Sequence, residues 1–485
     1  MRKLIYILAF SSISMLLGAQ GSKPNIIFMM ADDLGYSDIS TTGSPYDTPS
    51  IDSLANQGVF FARHYAYPAC TPTRGALMTG RYPLRYALWQ VVISRYDSRG
   101  ISASENKYML PRLLKEAGYQ TAIIGKWHLG HMYPEYLPHT RGFDYAFGTA
   151  YGLVDYYDWS YENATDCREN GNFYPPSEHN GPTTYFTDAI ADKCEDYLDS
   201  WANCSNSPFF LFVPFTAPHI APYGIGDTRV QIPIDSLANA PTNLTSTQRR
   251  YWVMMRQLDY AVSRIVNKVR DLGIEEETII IFASDNGGDV DYGGNNAPFR
   301  GEKNDLTEGG IRVPAIWYHK NTVSPAVVNE PIQIEDFHPT LLKIAGRDIS
   351  DIEANLDGED ISPLLSGGTI QPRMFIKQYQ RTNNVAVREW AVISGDYKLC
   401  SNCGTGTPLY NVTTDLGELT DISGSNPAIV SQLMSYANSF EAATQYATGV
   451  YYNFTPPSGW NTIQKWAVPE TFYDPDYYYY RNPKN

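Results

Sequence analysis

Four short apolar runs, each ending in ionisable or amide residues, constrain this chain more than any other feature. Asn25-Ile-Ile-Phe-Met-Met-Ala31 ends at Asp32-Asp33, and Thr121-Ala-Ile-Ile124 ends at Gly125-Lys126-Trp127-His128. Phe209-Phe-Leu-Phe-Val213 leads to Pro218-His219, and Thr278-Ile-Ile-Ile-Phe-Ala-Ser284 ends at Asp285-Asn286. Continuous apolar runs of this length read as strands buried on both faces. Helix-like segments lie between them, at 51–57, 109–116, 186–199 and 247–272. Strands alternating with helices predict an α/β fold whose large sheet is mixed and mostly parallel. On such sheets, sites form beyond the carboxyl ends of the strands, where these polar residues cluster.

The residue types at those ends suggest chemistry. Asp32, Asp33, Asp285 and Asn286 supply an all-oxygen donor set suited to Ca²⁺ or Mg²⁺. Asp and Asn also favour turns, and it is the recurrence of the pair at two strand ends that favours a metal. Lys126 and His128 are two apart, so an extended backbone would aim both at one pocket. His219 follows Ala217-Pro218, and Lys303 follows a Gly-rich loop. His64, His131, His139, His179, His319 and His338 have no comparable setting, with His131 the nearest competitor. Cys70 and Arg74 sit where a loop would enter a helix, since Gly75-Ala-Leu-Met78 can continue helically. A helix N-terminus favours an anion there. A lone Cys is otherwise most often a buried thiol.

At 485 residues the chain can bury a large core. Its formal charge of −15 argues against nucleic acid as a partner. A few basic residues in one pocket can still set a local field for an anionic substrate. Residues 1–21 read as a signal peptide: Arg2 and Lys3, a short apolar run, then Gly18-Ala-Gln-Gly21. That run is shorter than the ~20 residues of a spanning helix. Export to periplasm, medium or lysosome follows, with no membrane attachment after cleavage. Six cysteines then meet oxidising conditions, and the expected pairs are Cys194 with Cys204 and Cys400 with Cys403. Five Asn-x-Ser/Thr sequons occur, at Asn163, Asn203, Asn243, Asn411 and Asn453.

The texture changes after 336–346, which reads as a helix. Short strands at 389–393, 397–399 and 409–412, then a helix at 426–440, suggest a smaller α+β domain over 371–485, after a catalytic domain over 22–370. Tyr477-Tyr-Tyr-Tyr480 lies in an aromatic tail that can stack on sugar rings or simply pack.

Cys70-Thr-Pro-Thr-Arg74 resembles the signature of the formylglycine-dependent sulfatases. Segments 24–37, 68–85, 110–130, 141–144, 284–312 and 395–417 are similar to the same family. Asp155-Tyr-Tyr157 and Gly293-Gly-Asn-Asn-Ala-Pro-Phe-Arg-Gly301 look closest to the arylsulfatase B, or N-acetylgalactosamine-4-sulfatase, group. The resemblance implies an alkaline-phosphatase-like fold, one Ca²⁺ per chain, and oxidation of Cys70 to formylglycine by a formylglycine-generating enzyme. It carries the metal ligands over to Asp32, Asp33, Asp285, Asn286 and the group at Cys70. It carries sulfate binding and catalysis over to Arg74, Lys126, His128, His219 and Lys303. Thr73 departs from the usual Ser but keeps the hydroxyl. The arylsulfatase B disulfide pattern is not reproduced.

The implied reaction is substitution at sulfur by a hydroxyl of the formylglycine hydrate. Arg74, Lys126 and Lys303 would offset charge on the sulfuryl oxygens. His219, with Lys303, would protonate the leaving alcohol, and His128 would take the proton of the second hydroxyl. The expected substrate is a sulfated glycan of galactose or N-acetylgalactosamine type, with Trp89, Asp155, Tyr156, Tyr157 and Trp159 as either sugar-subsite or packing residues. A phosphatase or phosphonate monoester hydrolase on the same fold, and a non-catalytic glycan-binding protein, are the competing expectations.

Overall fold

A computed structural model of the chain describes residues 23–443, apart from 93–96, 98, 162–163, 180–183, 206, 223–228, 234–235 and 380–388. The expected signal peptide, the tyrosine-rich tail, Asn163 and Asn453 lie outside the described residues.

Seven principal strands form the large sheet. In chain order they are β1 (Asn25–Ala31), β2 (Val59–Tyr65), β3 (Gln120–Ile124), β4 (Tyr145–Thr149), β5 (Phe209–Pro214), β6 (Thr278–Ser284) and β7 (Arg312–His319). Their spatial order is β2-β7-β6-β1-β5-β3-β4, and short strands extend both edges. Neighbours from β6 to β4 run parallel, whereas β7 is antiparallel to both β6 and β2. The mixed, mostly parallel sheet expected from the apolar runs is present.

Register places the polar residues together. Ala31 pairs with Ser284, Met30 with Pro214, and Ile123 with Phe212. The carboxyl ends of β6, β1, β5 and β3 therefore share one edge of the sheet, and the residues that follow them enter one space.

Side chains of β1 alternate between two cores. Ile26, Phe28 and Met30 join one, under α2 (Cys70–Thr79), α3 (Leu110–Glu116) and the Phe337–Ile344 helix. Ile27, Met29 and Ala31 join the other, under α1 (Pro49–Gln57), α4 (Phe186–Cys204) and α5 (Ser246–Asp271). The four predicted helices α1, α3, α4 and α5 thus cover both faces of the sheet.

A four-stranded antiparallel sheet follows, made of Met374–Tyr379, Glu389–Ser394, Tyr397–Cys400 and Leu409–Asn411, with the Pro427–Ala443 helix against it. Phe375, Val392 and Leu399 belong to the same continuous core as Phe28 and Phe337. The smaller C-terminal unit therefore packs directly on the large sheet.

One expected disulfide needs correction. Cys400 and Cys403 form a disulfide, but Cys194 and Cys204 are free thiols. Both lie on α4, ten residues apart, so roughly 15 Å of helix separates them, well beyond disulfide reach. Strands β2 and β7 add to the sheet beyond the four expected runs. β2 carries Arg63 and His64, both buried, and Arg63 finds the carbonyl of Gly395 and the carboxylate of Asp396. β7 contains Pro314, accommodated where the β7–β2 register shifts between Val313 and Ala315.

Candidate active site

Helix α2 begins at Cys70 itself, and every residue of the helix is buried. Ala69 at the N-cap is extended and offers no side-chain cap, so the first turn leaves backbone donors free. Pro72 sits in that first turn, where its missing N–H is no loss. Thr73 Oγ1 accepts from the backbone N–H of Tyr67 at 2.9 Å and closes the loop leading to Cys70. Thr71 Oγ1 donates to the carbonyl of His128 at 3.1 Å, tying the helix to the segment after β3.

The carboxylates converge as expected. Arg74 donates to Asp285 Oδ2 through Nη2 at 2.7 Å and Nε at 3.1 Å, and to the carbonyl of Lys126 through Nη1 at 2.8 Å. Lys126 Nζ donates to Asp32 Oδ2 at 2.6 Å. Asn286 Nδ2 donates to Asp33 Oδ1 at 2.8 Å, and the backbone N–H of Asp33 donates to Asp285 Oδ1 at 3.1 Å. These side chains are buried. Three carboxylates thus face three cations, Arg74, Lys126 and Lys303.

Two oxygens in this group, Asp32 Oδ1 and Asn286 Oδ1, are buried without any hydrogen-bond donor. Bare buried acceptors are costly, and a cation would relieve both. Ligand atoms of Asp32, Asp285 and Cys70 lie within 4.8 Å of one another, as do those of Asp32, Asp33 and His219. His219 already accepts from Lys303, so the oxygen-rich grouping is the better cation site. Its hard donors fit Ca²⁺ or Mg²⁺. Burial, reinforced by Asp285 and Asp33 and opposed by Lys126 and Arg74, pushes the bare Asp32 carboxyl up to about 8. Burial also pushes the Cys70 thiol up, which makes it a poor thiolate nucleophile.

Lys303 bridges the other side of the cluster. Its Nζ donates to Asp33 Oδ2 at 2.6 Å and lies 2.9 Å from His219 Nε2. His219 Nδ1 lies 2.8 Å from the carbonyl of Ile220. A carbonyl only accepts, so Nδ1 carries the ring proton and Nε2 accepts from Lys303. Burial, with Lys303 and Lys126 and against Asp33, holds His219 well below the usual histidine range, hence neutral. For Asp33 burial acts upward, but the charges of Lys303 and Lys126 and the Lys303 hydrogen bond act downward and keep the carboxyl ionised.

His128 departs from the extended geometry expected of Lys126-Trp127-His128. Its φ is +58°, and Gly125 before Lys126 is at +139°. The chain turns rather than running straight, yet Lys126 and His128 still flank the site. His128 Nε2 lies 2.9 Å from the carbonyl of Val92, which places the proton on Nε2 and leaves Nδ1 buried and unpartnered. Burial and the nearby Lys126 hold this ring neutral too. His131 packs edge-on against Tyr151 at 5.0 Å.

Of the aromatic residues expected to line a sugar subsite or to pack, Trp89, Tyr156 and Trp159 are buried in the cores. Trp159 is fully buried against Phe147 and Phe186. Tyr156 is buried, stacks on Tyr185, and directs its hydroxyl to the carbonyls of Thr216 and His219. Asp155 accepts from the N–H groups of Tyr157 and Asp158 and from Gln231.

Asp38 also supports the site, with little in the sequence to mark it. Its carboxylate accepts from Gly35 N at 2.7 Å, Tyr251 Oη at 2.7 Å and Asn295 N at 2.9 Å, so it pins the loop after β1 to the Gly-rich loop before Lys303. An acidic residue five positions after Asp33 was its only sequence signal.

A mixed, mostly parallel sheet with a charged cluster at its carboxyl edge is the arrangement of the alkaline-phosphatase-like enzymes. The chain belongs to the sulfatase family, whose model, described as Sulfatase, matches residues 24–347. It is 29% identical to arylsulfatase J of Mus musculus over 469 residues, covering 86% of this chain and 76% of the relative. It is 31% identical to N-acetylgalactosamine-6-sulfatase of Mus musculus over 419 residues, covering 81% and 74% respectively. Its structure matches that of Ps i-CgsB in complex with k-i-k-neocarrahexaose with a TM-score of 0.79 at 27% identity, covering 89% of this chain and 96% of that one.

Proposed function

We propose that this sulfatase is exported and removes sulfate esters from a carbohydrate of galactose or N-acetylgalactosamine type, using formylglycine made from Cys70 and one Ca²⁺. The observation that carries the reading is the setting of Cys70. It opens a buried helix, its sulfur and carboxylate oxygens of Asp32 and Asp285 lie within 4.8 Å of one another, and its thiol is held protonated by burial. Such a position is poor for thiol chemistry and suits an oxygen nucleophile beside a cation. The carbohydrate class is supported by the named N-acetylgalactosamine-6-sulfatase and by the sugar bound to Ps i-CgsB.

A formyl group at position 70, as its hydrate, would supply two hydroxyls, one as nucleophile and one as a proton source. Asp32, Asp33, Asp285 and Asn286 would hold the cation, which would supply positive charge for a bound anionic group. The chain's own residues do the rest. Three carboxylates balance three cations, so a divalent cation leaves the site positive and attracts a sulfate monoester, in a chain whose overall charge is −15. Arg74 and Lys126 are fixed by Asp285 and Asp32, so they act as oriented charge rather than mobile counterions. His128 has its proton on Nε2, so Nδ1 is the atom free to take one from the second hydroxyl. Lys303 carries a proton between Asp33 and His219, and we assign it as the donor to the leaving oxygen. His219, accepting from Lys303 at Nε2, orients it.

Mass spectrometry of the peptide containing Cys70, from natively produced protein, tests the reading. Conversion lowers the peptide mass by ~18 Da. An intact thiol in fully active protein overturns it. Turnover of an aryl sulfate above the matching aryl phosphate separates a sulfatase from a phosphatase on this fold.

A further inference from the structure

One strand of the C-terminal sheet, Met374–Tyr379, reaches toward both sides of the active site. Lys377 and Tyr379 lie two apart on Met374–Tyr379, so they share the face that packs Phe375 against Tyr65. Each meets a different part of the catalytic cluster.

Tyr379 Oη donates to Asn304 Oδ1 at 2.6 Å. Asn304 follows Lys303 directly, sits at φ +71°, and donates its backbone N–H to the carbonyl of Pro68 at 2.7 Å. Lys377 Nζ donates to Glu335 Oε2 at 2.6 Å, and both side chains are fully buried. Glu335 Oε1 accepts from Tyr67 Oη at 2.7 Å, and Lys377 Nζ also lies over the Tyr67 ring at 4.4 Å. Tyr67-Pro68-Ala69 is the segment that delivers Cys70.

These contacts close a ring. It runs from Tyr67 through Glu335 to Lys377, along the strand to Tyr379, through Asn304 to Pro68, and back to Tyr67. Its two catalytic-domain stations are the neighbour of the nucleophile helix and the neighbour of Lys303. Surface packing alone has no need of such a circuit. Here 2.6–2.7 Å bonds, two of them fully buried, link both reacting sides of the site to a strand 70–76 positions downstream of Asn304 and Lys303.

We propose that the Met374–Tyr379 strand is a positioning element of the active site: Tyr379 sets Lys303 through Asn304, and Lys377 sets the Cys70 loop through Glu335 and Tyr67. The C-terminal sheet is then part of the catalytic machinery's support and not only a cover for the large sheet. The first arm builds on the assignment of Lys303 as proton donor.

Leaving-group chemistry separates the arms. A nitrophenyl sulfate leaves without a proton, whereas an alkyl or sugar sulfate needs one. Tyr379→Phe removes one hydroxyl, and is expected to lower kcat on an alkyl or sugar sulfate by about 10-fold, with KM and the nitrophenyl sulfate rate within about twofold of the parent. Tyr67→Phe is expected to lower kcat by a similar factor on both substrates. A Tyr379→Phe enzyme with the parental rate on both overturns the first arm, and a fully active Tyr67→Phe enzyme overturns the second.

A double-mutant cycle with Asn304→Gly, which keeps the left-handed backbone accessible, tests the connection itself. Tyr379→Phe added to Asn304→Gly should cost nothing further, and additive losses overturn the route through Asn304. Lys303→Met is the control for the underlying assignment. If it slows both substrates equally while the cycle stays non-additive, Lys303 is not the proton donor but the brace stands.

Discussion

The hydroxyl of Tyr156 lies 2.7 Å from the backbone carbonyl of His219 and 2.8 Å from that of Thr216. It spans the turn that presents His219 to Lys303. Tyr156 is therefore expected to act on the reaction through His219 and not through a sugar. Tyr156→Phe should lower kcat by about 10-fold with little change in KM, because the turn loosens while the substrate pocket keeps its walls. Stability should fall by about 1 kcal/mol, the usual loss for one buried hydrogen bond. Steady-state kinetics beside urea denaturation check both; a raised KM at unchanged kcat would return Tyr156 to the sugar subsite.

Removing divalent cations should lower both activity and thermal stability, with Ca²⁺ restoring both. A site with bare Asp32 and Asn286 oxygens gains from a cation only in the folded state. Saturation at 100 times Kd stabilises by about 2.7 kcal/mol. Thermal unfolding of chelated and Ca²⁺-supplemented protein reads this directly. A fully active enzyme with less than about a tenth of an equivalent of bound metal would contradict the donor-set argument.

Gly125→Ala should be among the most damaging single changes. Gly125 sits at φ +139°, and an added Cβ would lie 2.0 Å from the carbonyl oxygen of Pro214 on the neighbouring strand. Relief requires β3 to move from β5, which displaces Lys126. A loss of about 3 kcal/mol or more is expected, from backbone strain and overpacking together. Denaturation midpoints and soluble yield measure it.

Two buried histidines outside the site set a pH signature. Burial lowers His64 to about 3, aided by the nearby charge of Lys377. Burial lowers His338 to about 4, against the carbonyl of Tyr108. Both folded values lie below the unfolded value near 6.5, so the unfolded chain binds more protons between them. Stability from these groups is complete above about 6.5 and falls as pH drops toward 4. Asp32 and Asp38, which burial pushes up to about 8 and about 7, act in the opposite sense. The test is therefore a difference. His64→Leu should gain relative to the parent by up to a few kcal/mol as pH falls from 7 to 4. Parallel denaturation curves across that range would show that His64 does not titrate as its burial demands.

The site was legible where local pattern and chemistry coincide. Asp32, Asp33, Asp285 and Asn286 follow apolar runs that can only be buried strands, and parallel neighbours must put such ends on one edge. Cys70 and Arg74 were legible as the first turn of a helix. The strands β2 and β7 were not, because Arg63, His64 and Pro314 break the apolar pattern and are accommodated only by distant partners such as Gly395 and by a local register shift. Trp159 and Tyr156 illustrate a different limit. Composition offers an aromatic residue for stacking or for packing, and only its neighbours decide which.

The sequence by itself determined the class of fold, the residues gathered at the strand ends and the family resemblance, because strand burial and short motifs are local properties. Only the tertiary structure decided which ring nitrogen of His128 and His219 holds the proton, and which oxygens of Asp32 and Asn286 lack a donor. It alone brought Tyr379 to Asn304 and Lys377 to Glu335. These depend on atoms that meet across tens or hundreds of residues, at distances a hydrogen bond resolves and a sequence pattern does not.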